Sequence, residues 1–375
     1  MATITKTPSG TWKAIVRKVG WPTQAKTFRL KRDASDWGRR TEDEMVRGVY
    51  VDRSAAERLT LSQALDRYLK EVTPTKRAST QATDPRKAVP LRAALGEYSL
   101  AAITPDIVAD YRDARLATVS ERTGRPLSNN SVRLELALLG HLYTTAIREW
   151  RLGLVANPVQ MVRRPAPGEG RLRRLREDEE QYLLAACDAY SNPMVGWIVR
   201  VALWTAMRQG EILSLTADQV DVEGRAVHLS QTKNGSRRTV PLSSRAAEVL
   251  RAALGSRLRG DSPFVFAGEL GRPDAQGRRR RGHYQIHTPW RHVLQRADEA
   301  YQEACRKIGV DPDPKMFHDL RFHDLRHEAI SRLVEADIPD QQVAAISGHK
   351  SMQMLQRYAH LRNKKLVGVV ESLEL

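Results

Sequence analysis

The chain has 375 residues, too many for one ordinary domain and suited to two or three. Lys and Arg number 61 against 44 Asp and Glu, a formal net charge of +17; this favours a polyanionic partner, since each phosphate met by a cation releases condensed counterions, with a merely basic protein as the alternative. Two cysteines, Cys187 and Cys305, exclude a disulfide framework and a cysteine-built zinc site; MATITKTPSG lacks the apolar run of a secretion signal, and the most apolar stretch, 194–204, is too short to span a bilayer and carries Arg200.

Residues 1–52 open with two extended runs, TWKAIVRKV and AKTFRLK, joined through Gly20 and Pro22, and a helical stretch follows from Asp33. The pattern predicts a small strand-plus-helix module. Its cations, among them Lys13, Arg17, Lys18, Lys26 and Arg29, either line a DNA groove or form a solvated face. Residues 60–165 read as helical. Thr60 precedes Leu61, Leu65, Tyr68 and Leu69 at helical spacing, and Thr104-Pro105 puts proline at the first position of a second helix. Asn129 or Asn130 caps a third helix whose long apolar stripe must face a core, and Asn157-Pro158 closes the region. A connector over 162–178 holds two prolines and two glycines. Arg163, Arg164, Arg171, Arg173, Arg174 and Arg176 lie in or beside it, so it either tracks a DNA backbone or is a solvated tether. From about 177 the chain is mainly helical with a strand-rich insert, QVDVEG, RAVHLS and RRTVPL, and Asn234-Gly235 is a strong hairpin signal between the last two. The fold class is mainly α with small β elements.

Four segments of the last zone carry candidate chemistry. In TAMRQGEILSL (205–215), Arg208 sits at a break between two apolar helices beside Glu211, a structural pair if taken alone. In SQTKNGSRRTVPL (230–242), Lys233 is at a hairpin mouth, where a lysine is ordinarily a surface charge. FHDLRFHDLRHE (317–328) writes one unit twice, offering His318 with Arg321 and His323 with Arg326. Five helical residues advance about 500°, so the copies cannot line one pocket. The second flows into an amphipathic helix with Leu325, Ile330, Leu333 and Val334 apolar and is the better anchored. His323 and His327, like His283 and His287, have the i, i+4 spacing of a metal pair, but the glutamate and third ligand of such a site are missing, so no metal is expected. In SGHKSMQMLQRYAH (347–360), Gly348 ends one helix, Ser351 can cap the next, His349 lies between, and Tyr358 stands at the far end. A lone tyrosine there is ordinarily a packing residue, yet Arg357, Ala359 and His360 around it are not a core sequence.

Each segment alone is weak; the ordered set Arg208, Lys233, His323-x-x-Arg326, His349, Tyr358 is not. It resembles the signature of the tyrosine site-specific recombinases, the integrase family of phages, plasmids and integrative elements, over about 174–362. Within 60–165, YRDARL and SVRLELALL look like the core-binding domain of shufflon-type DNA invertases and related proteobacterial integrases, and 1–52 looks like an arm-type DNA-binding module. One departure is Ala206, where many relatives carry glycine, and it is expected to be tolerated.

The resemblance implies an arm-type module (1–56), a helical core-binding domain (57–165), a basic linker (166–176) and a catalytic domain with C-terminal tail (177–375), closing as a clamp around DNA. It implies that Tyr358 attacks the scissile phosphate to give a 3′-phosphotyrosine and a free 5′-hydroxyl, followed by strand exchange through a Holliday junction and rejoining. Arg208 and Arg326 would hold the non-bridging oxygens, since guanidinium stays charged and donates a planar fork. Lys233 would protonate the leaving oxygen, His323 would manage the tyrosine's proton, and His349 would donate to the phosphate. No metal, nucleotide or other cofactor is implied. The implied partners are double-stranded DNA with specific recombination sites and a homotetramer in the synaptic complex, with an accessory DNA-bending protein left open and no membrane. The implied setting is cytoplasmic and nucleoid-associated. The apolar tail 361–375 either docks on a neighbouring protomer or packs in cis. Two alternatives stand beside this reading: a type IB topoisomerase-like relaxation activity and a non-catalytic DNA-binding protein.

Overall fold

Alternation of side chains along TWKAIV turns Ala14 and Val16 to one face, and both are fully buried. In the computed structural model these residues belong to the middle strand of an antiparallel sheet, β1 (Thr3–Lys6), β2 (Trp12–Val16) and β3 (Gln24–Phe28). The sequence predicts only two of these strands, because TITK has a single apolar residue and pairs as a polar edge. Helix α1 (Lys31–Val46) lays Ala34 and Met45 on that face. The structure describes residues 2–362 except 53, 122, 169, 170, 172, 231–236, 272–278 and 280. It divides into two compact units, Met1–Glu169 and Gly170–Leu375.

The rest of the first unit is helical: α2 (Ser54–Arg58), α3 (Leu61–Glu71), α4 (Ala78–Leu95), α5 (Pro105–Ala117) and α6 (Asn129–Arg148). Thr60 and Gln63 close a reciprocal capping box at α3, and Thr104 caps α5 with Pro105 in its first turn. The cap of α6 is Ser128, whose Oγ accepts the Ser131 N–H at 3.2 Å; Asn129 and Asn130, the expected caps, are already inside the first turn. Helix α4 lies within the stretch read as helical but is not singled out there, since Pro85 and Pro90 interrupt its pattern. Burial of Ala88, Leu91 and Leu95 holds it, as do ion pairs of Lys76 and Lys87 with the buried Asp84. The stripe of α6 includes a charge, Glu135, which accepts the Tyr111 hydroxyl at 2.7 Å and a two-pronged contact from Arg115.

The second unit is built on α8 (Met194–Thr205), the apolar run read as a buried helix. Around it stand α7 (Glu177–Asp188), α9 (Gln209–Leu213), the antiparallel sheet β4 (Val220–Asp221), β5 (Ala226–Leu229) and β6 (Arg238–Pro241), and α10 (Ser244–Leu254). A second hairpin, β7 (Ala267–Leu270) with β8 (Arg281–His283), is too short and polar to be marked in the sequence. Helices α11 (His287–Lys307), α12 (Phe322–Glu335) and α13 (Asp340–Ser347) follow, then two 3₁₀ turns, Met352–Met354 and Gln356–Arg362. The first FHDLR copy lies in turns, with Phe317 and Asp319 at positive φ, while the second opens α12. Lys233, the Asn234-Gly235 turn and the tail beyond Arg362 lie outside the described residues.

Four of the six connector arginines meet neither expectation, while Arg163 and Arg164 are exposed. Arg171 binds Asp319 and the buried Asp324, Arg173 binds the buried Glu179, Arg174 binds Glu328 and Glu335, and Arg176 binds Asp313. These carboxylates belong to the second unit, so the connector's end is fastened to it and three of its acceptors sit on α12. Among the described residues no helix is long and apolar enough to cross a membrane.

Candidate active site

Helix α13 ends where Gly348 takes the left-handed conformation, φ 73°, and returns its N–H to Ala344 O at 2.7 Å. The last carbonyls of a helix lack intrahelical donors and carry its partial negative charge. Here three successive carbonyls meet three guanidiniums from three different elements. Arg238 of β6 donates from Nε to Ile346 O at 3.1 Å, Arg326 of α12 from Nη2 to Ser347 O at 2.7 Å, and Arg208, which precedes α9, from Nη2 to Gly348 O at 2.8 Å. Arg326 also donates from Nη1 to Ala206 O. Ala206 sits at φ 53°, a conformation that costs a non-glycine residue about 1–2 kcal/mol, which accounts for glycine being the ordinary choice there.

Glu211 supplies the counter-charge. It accepts the Arg208 backbone N–H at 2.9 Å, Arg208 Nη1 at 2.9 Å, and Arg238 through both terminal nitrogens at 3.0 and 2.7 Å. Burial pushes its carboxyl up, but these donors prevail and leave it at about 2. Arg326, only 4% exposed, is pushed down to about 10 by burial and by the Arg208 charge, and remains a cation at neutral pH. The turn after α13 therefore brings Arg208 and Arg326 to adjacent carbonyls. It also recruits Arg238, which the sequence does not single out because a strand arginine before Thr-Val-Pro has no marking pattern.

Tyr358 is 5% exposed, packed with Ala206, Ala329, Ile330 and Leu355. It lies in a 3₁₀ turn rather than at the end of a short α-helix, and Ser351 makes no side-chain cap. Its hydroxyl is 2.6 Å from Nδ1 of His327. The sequence reading gives the tyrosine's proton to His323 and sees His327 only as half of a metal-like spacing. His323 is one helical turn earlier than His327, and its ring stands edge-on to His327 at 5.1 Å and 87°. His349 Nδ1 is 2.8 Å from Ser347 Oγ.

Burial, then neighbouring cations or histidine, depresses all three imidazoles. His323 is lowered by burial and Arg326, His327 to about 4 by burial and His323, and His349 to about 4 by burial, Arg326 and Arg208. They are neutral at pH 7. Burial raises the Tyr358 phenol, against the opposing fields of Arg357 and Arg326. Among the described residues no three metal-binding side chains cluster. The arrangement offers fixed cations for an anion, and a buried hydroxyl already bonded to a neutral base.

Residues 173–365 match the model of the Phage integrase family. The chain is 39% identical to an Escherichia coli protein described as a shufflon-specific DNA recombinase, over 84% of this chain and 72% of that one. Its fold is similar to that of a lambda integrase dimer bound to a COC′ core site, with TM-score 0.56, 20% identity, and 95% and 93% of the two chains covered. It is also similar to a lambda integrase tetramer bound to a Holliday junction, with TM-score 0.54, 19% identity, and 93% and 95% covered. The mainly helical class with small sheets is the one these neighbours share.

Proposed function

Because this chain belongs to the phage integrase family and is a site-specific DNA recombinase, we propose that Tyr358 is its nucleophile and that Arg208, Arg326 and His349 receive the scissile phosphate. The observation that carries this reading is the convergence of a buried, base-bonded tyrosine hydroxyl with two carbonyl-tethered guanidiniums at one helix end. Donors already held in place need no reorganisation as charge builds on the phosphoryl oxygens. The Tyr358 oxygen bonds to phosphorus, the bond to the 5′-oxygen breaks, and the 3′-phosphotyrosine conserves the bond energy for rejoining. Lys233 protonates the leaving oxygen. His323 acts as a donor or proton carrier on the phosphate side. Ser347 Oγ, which donates to Val343 O at 2.6 Å, lies 2.8 Å from His349 Nδ1 and holds that ring in place.

In this reading residues 1–56 are an arm-type module, 57–165 the core-binding domain, 166–176 the linker and 177–375 the catalytic domain, all acting on duplex DNA. A homotetramer on two sites is the working assembly, as the lambda integrase tetramer on a Holliday junction suggests by analogy. An accessory DNA-bending protein and a cytoplasmic, nucleoid-associated setting complete the proposal. Integration, excision or inversion then follows from site arrangement. The topoisomerase-like and non-catalytic alternatives find no support in the comparisons.

The test pairs two assays on the junction sequences recovered from recombined DNA flanking the gene. Recombination between two such sites, without relaxation of a supercoiled plasmid lacking them, is the expected outcome. Site-independent relaxation with no recombinants would overturn it.

A further inference from the structure

We propose that His327 is the proton acceptor for Tyr358: during attack on phosphorus, its Nδ1 takes the phenolic proton. This rests on the reading of Tyr358 as nucleophile.

Attack by a phenol requires that its proton leave. Burial disfavours the free phenolate, so the proton needs a receiver in contact with the oxygen. His327 is in that position, with Nδ1 at 2.6 Å from Oη, a short distance for an O–H···N bond. The pair is held from both sides. The Tyr358 ring is fixed in an apolar cluster with Ala329 and Ile330, and the His327 ring is fixed edge-on by His323. Register gives the assignment its meaning. Arg326 and His327 are consecutive on α12, so the guanidinium tethered at Ser347 and the base bonded to the tyrosine move as one rigid piece.

The balance is complete. The Oη–P bond forms as the P–O5′ bond breaks, the phenolic proton moves to Nδ1, and the leaving oxygen takes its proton from Lys233. In rejoining, an incoming 5′-hydroxyl displaces Tyr358 and the imidazolium returns its proton to Oη. The groups facing His327 are His323 and Asp324 on its own helix, the neighbouring Arg326, and Arg357 beside the tyrosine. Burial and the preponderance of positive field keep it neutral in the free protein, hence able to accept. A phosphate docking at Arg208 and Arg326 offsets those cations and raises its basicity as the reaction begins.

The experiment uses the full chain and a nicked suicide duplex built from the recombined junction, and reads the initial rate of covalent complex. His327→Ala should lose about 100-fold or more with duplex affinity retained. His327→Asn should be as slow, since its amide oxygen accepts the phenol's hydrogen bond but not its proton; this variant decides the matter if the alanine variant fails to fold. Replacing the bridging 5′-oxygen by sulfur removes the need for a leaving-group proton, and should leave both variants slow. A loss of less than about tenfold in His327→Asn, or recovery with the sulfur substrate, overturns the proposal. Tyr358→Phe runs alongside. A covalent complex from that variant sinks the nucleophile reading itself, whereas an active His327 variant with an inactive Tyr358→Phe sinks only the base.

Discussion

Glu211 is the counter-charge to Arg208 and Arg238, and its side chain is 9% exposed. Glu211→Gln keeps the volume and removes the charge. Holding a carboxyl at about 2 against its ordinary 4.5 corresponds to about 3 kcal/mol of stability at neutral pH. The sign is that of a depressed acid: the contribution is complete above 4.5 and is lost as pH falls toward 2. The assay is urea unfolding read by pulse hydrogen exchange on peptides covering 197–215 and 340–349, which follows the second unit by itself. The variant should be less stable by about 3 kcal/mol at pH 7, and the gap to wild type should close between about pH 4.5 and 2. Sulfate, as a substitute anion, should stabilise the variant more than the wild type. A gap below about 0.5 kcal/mol at pH 7, or one of constant size through the acid range, would refute the view that one carboxylate holds the arginines together.

Gly348→Ala places a methyl 2.7 Å from Arg238 Nη1 in a left-handed turn, so about 1–2 kcal/mol of backbone strain is added to a displaced guanidinium; covalent-complex yield should fall on the suicide duplex while the thermal midpoint drops only by a few degrees. Arg171→Gln leaves the buried Asp324 without its ion-pair partner and should cost about 2 kcal/mol, read by the same exchange method on α12 peptides. His318→Ala and Arg321→Ala should retain cleavage, since the first FHDLR copy lies in turns ahead of α12; selective loss of cleavage in either would contradict the assignment of roles to the second copy.

The sequence marks the site more clearly than its supports, for a physical reason. Arg208, His349 and Tyr358 lie at helix breaks and turns, where cap residues and interrupted apolar spacing stand out, while Arg326 lies inside α12 and is marked instead by the repeated FHDLR unit. The tethering of the arginines was not legible, because backbone carbonyls leave no trace in residue identity. Nor was the contact of Tyr358 with His327, which depends on the rotation of α12 against the last turn, a matter of about 100° per residue. The bounds of helix α4 were hidden by two prolines that tertiary burial overrides, and β1 by its polar composition. Arg171 and Arg174 of the connector read as free cations until the folded acids of α12 appear beside them.

The most direct test of the central claim is peptide mapping of the protein–DNA adduct. The chain is incubated with the nicked suicide duplex, digested with protease and nuclease, and analysed by mass spectrometry. The account predicts a nucleotide carried through its 3′-phosphate on Tyr358 and no adduct from Tyr358→Phe despite retained DNA binding. A nucleotide on any other residue, or an undiminished adduct from Tyr358→Phe, would contradict it.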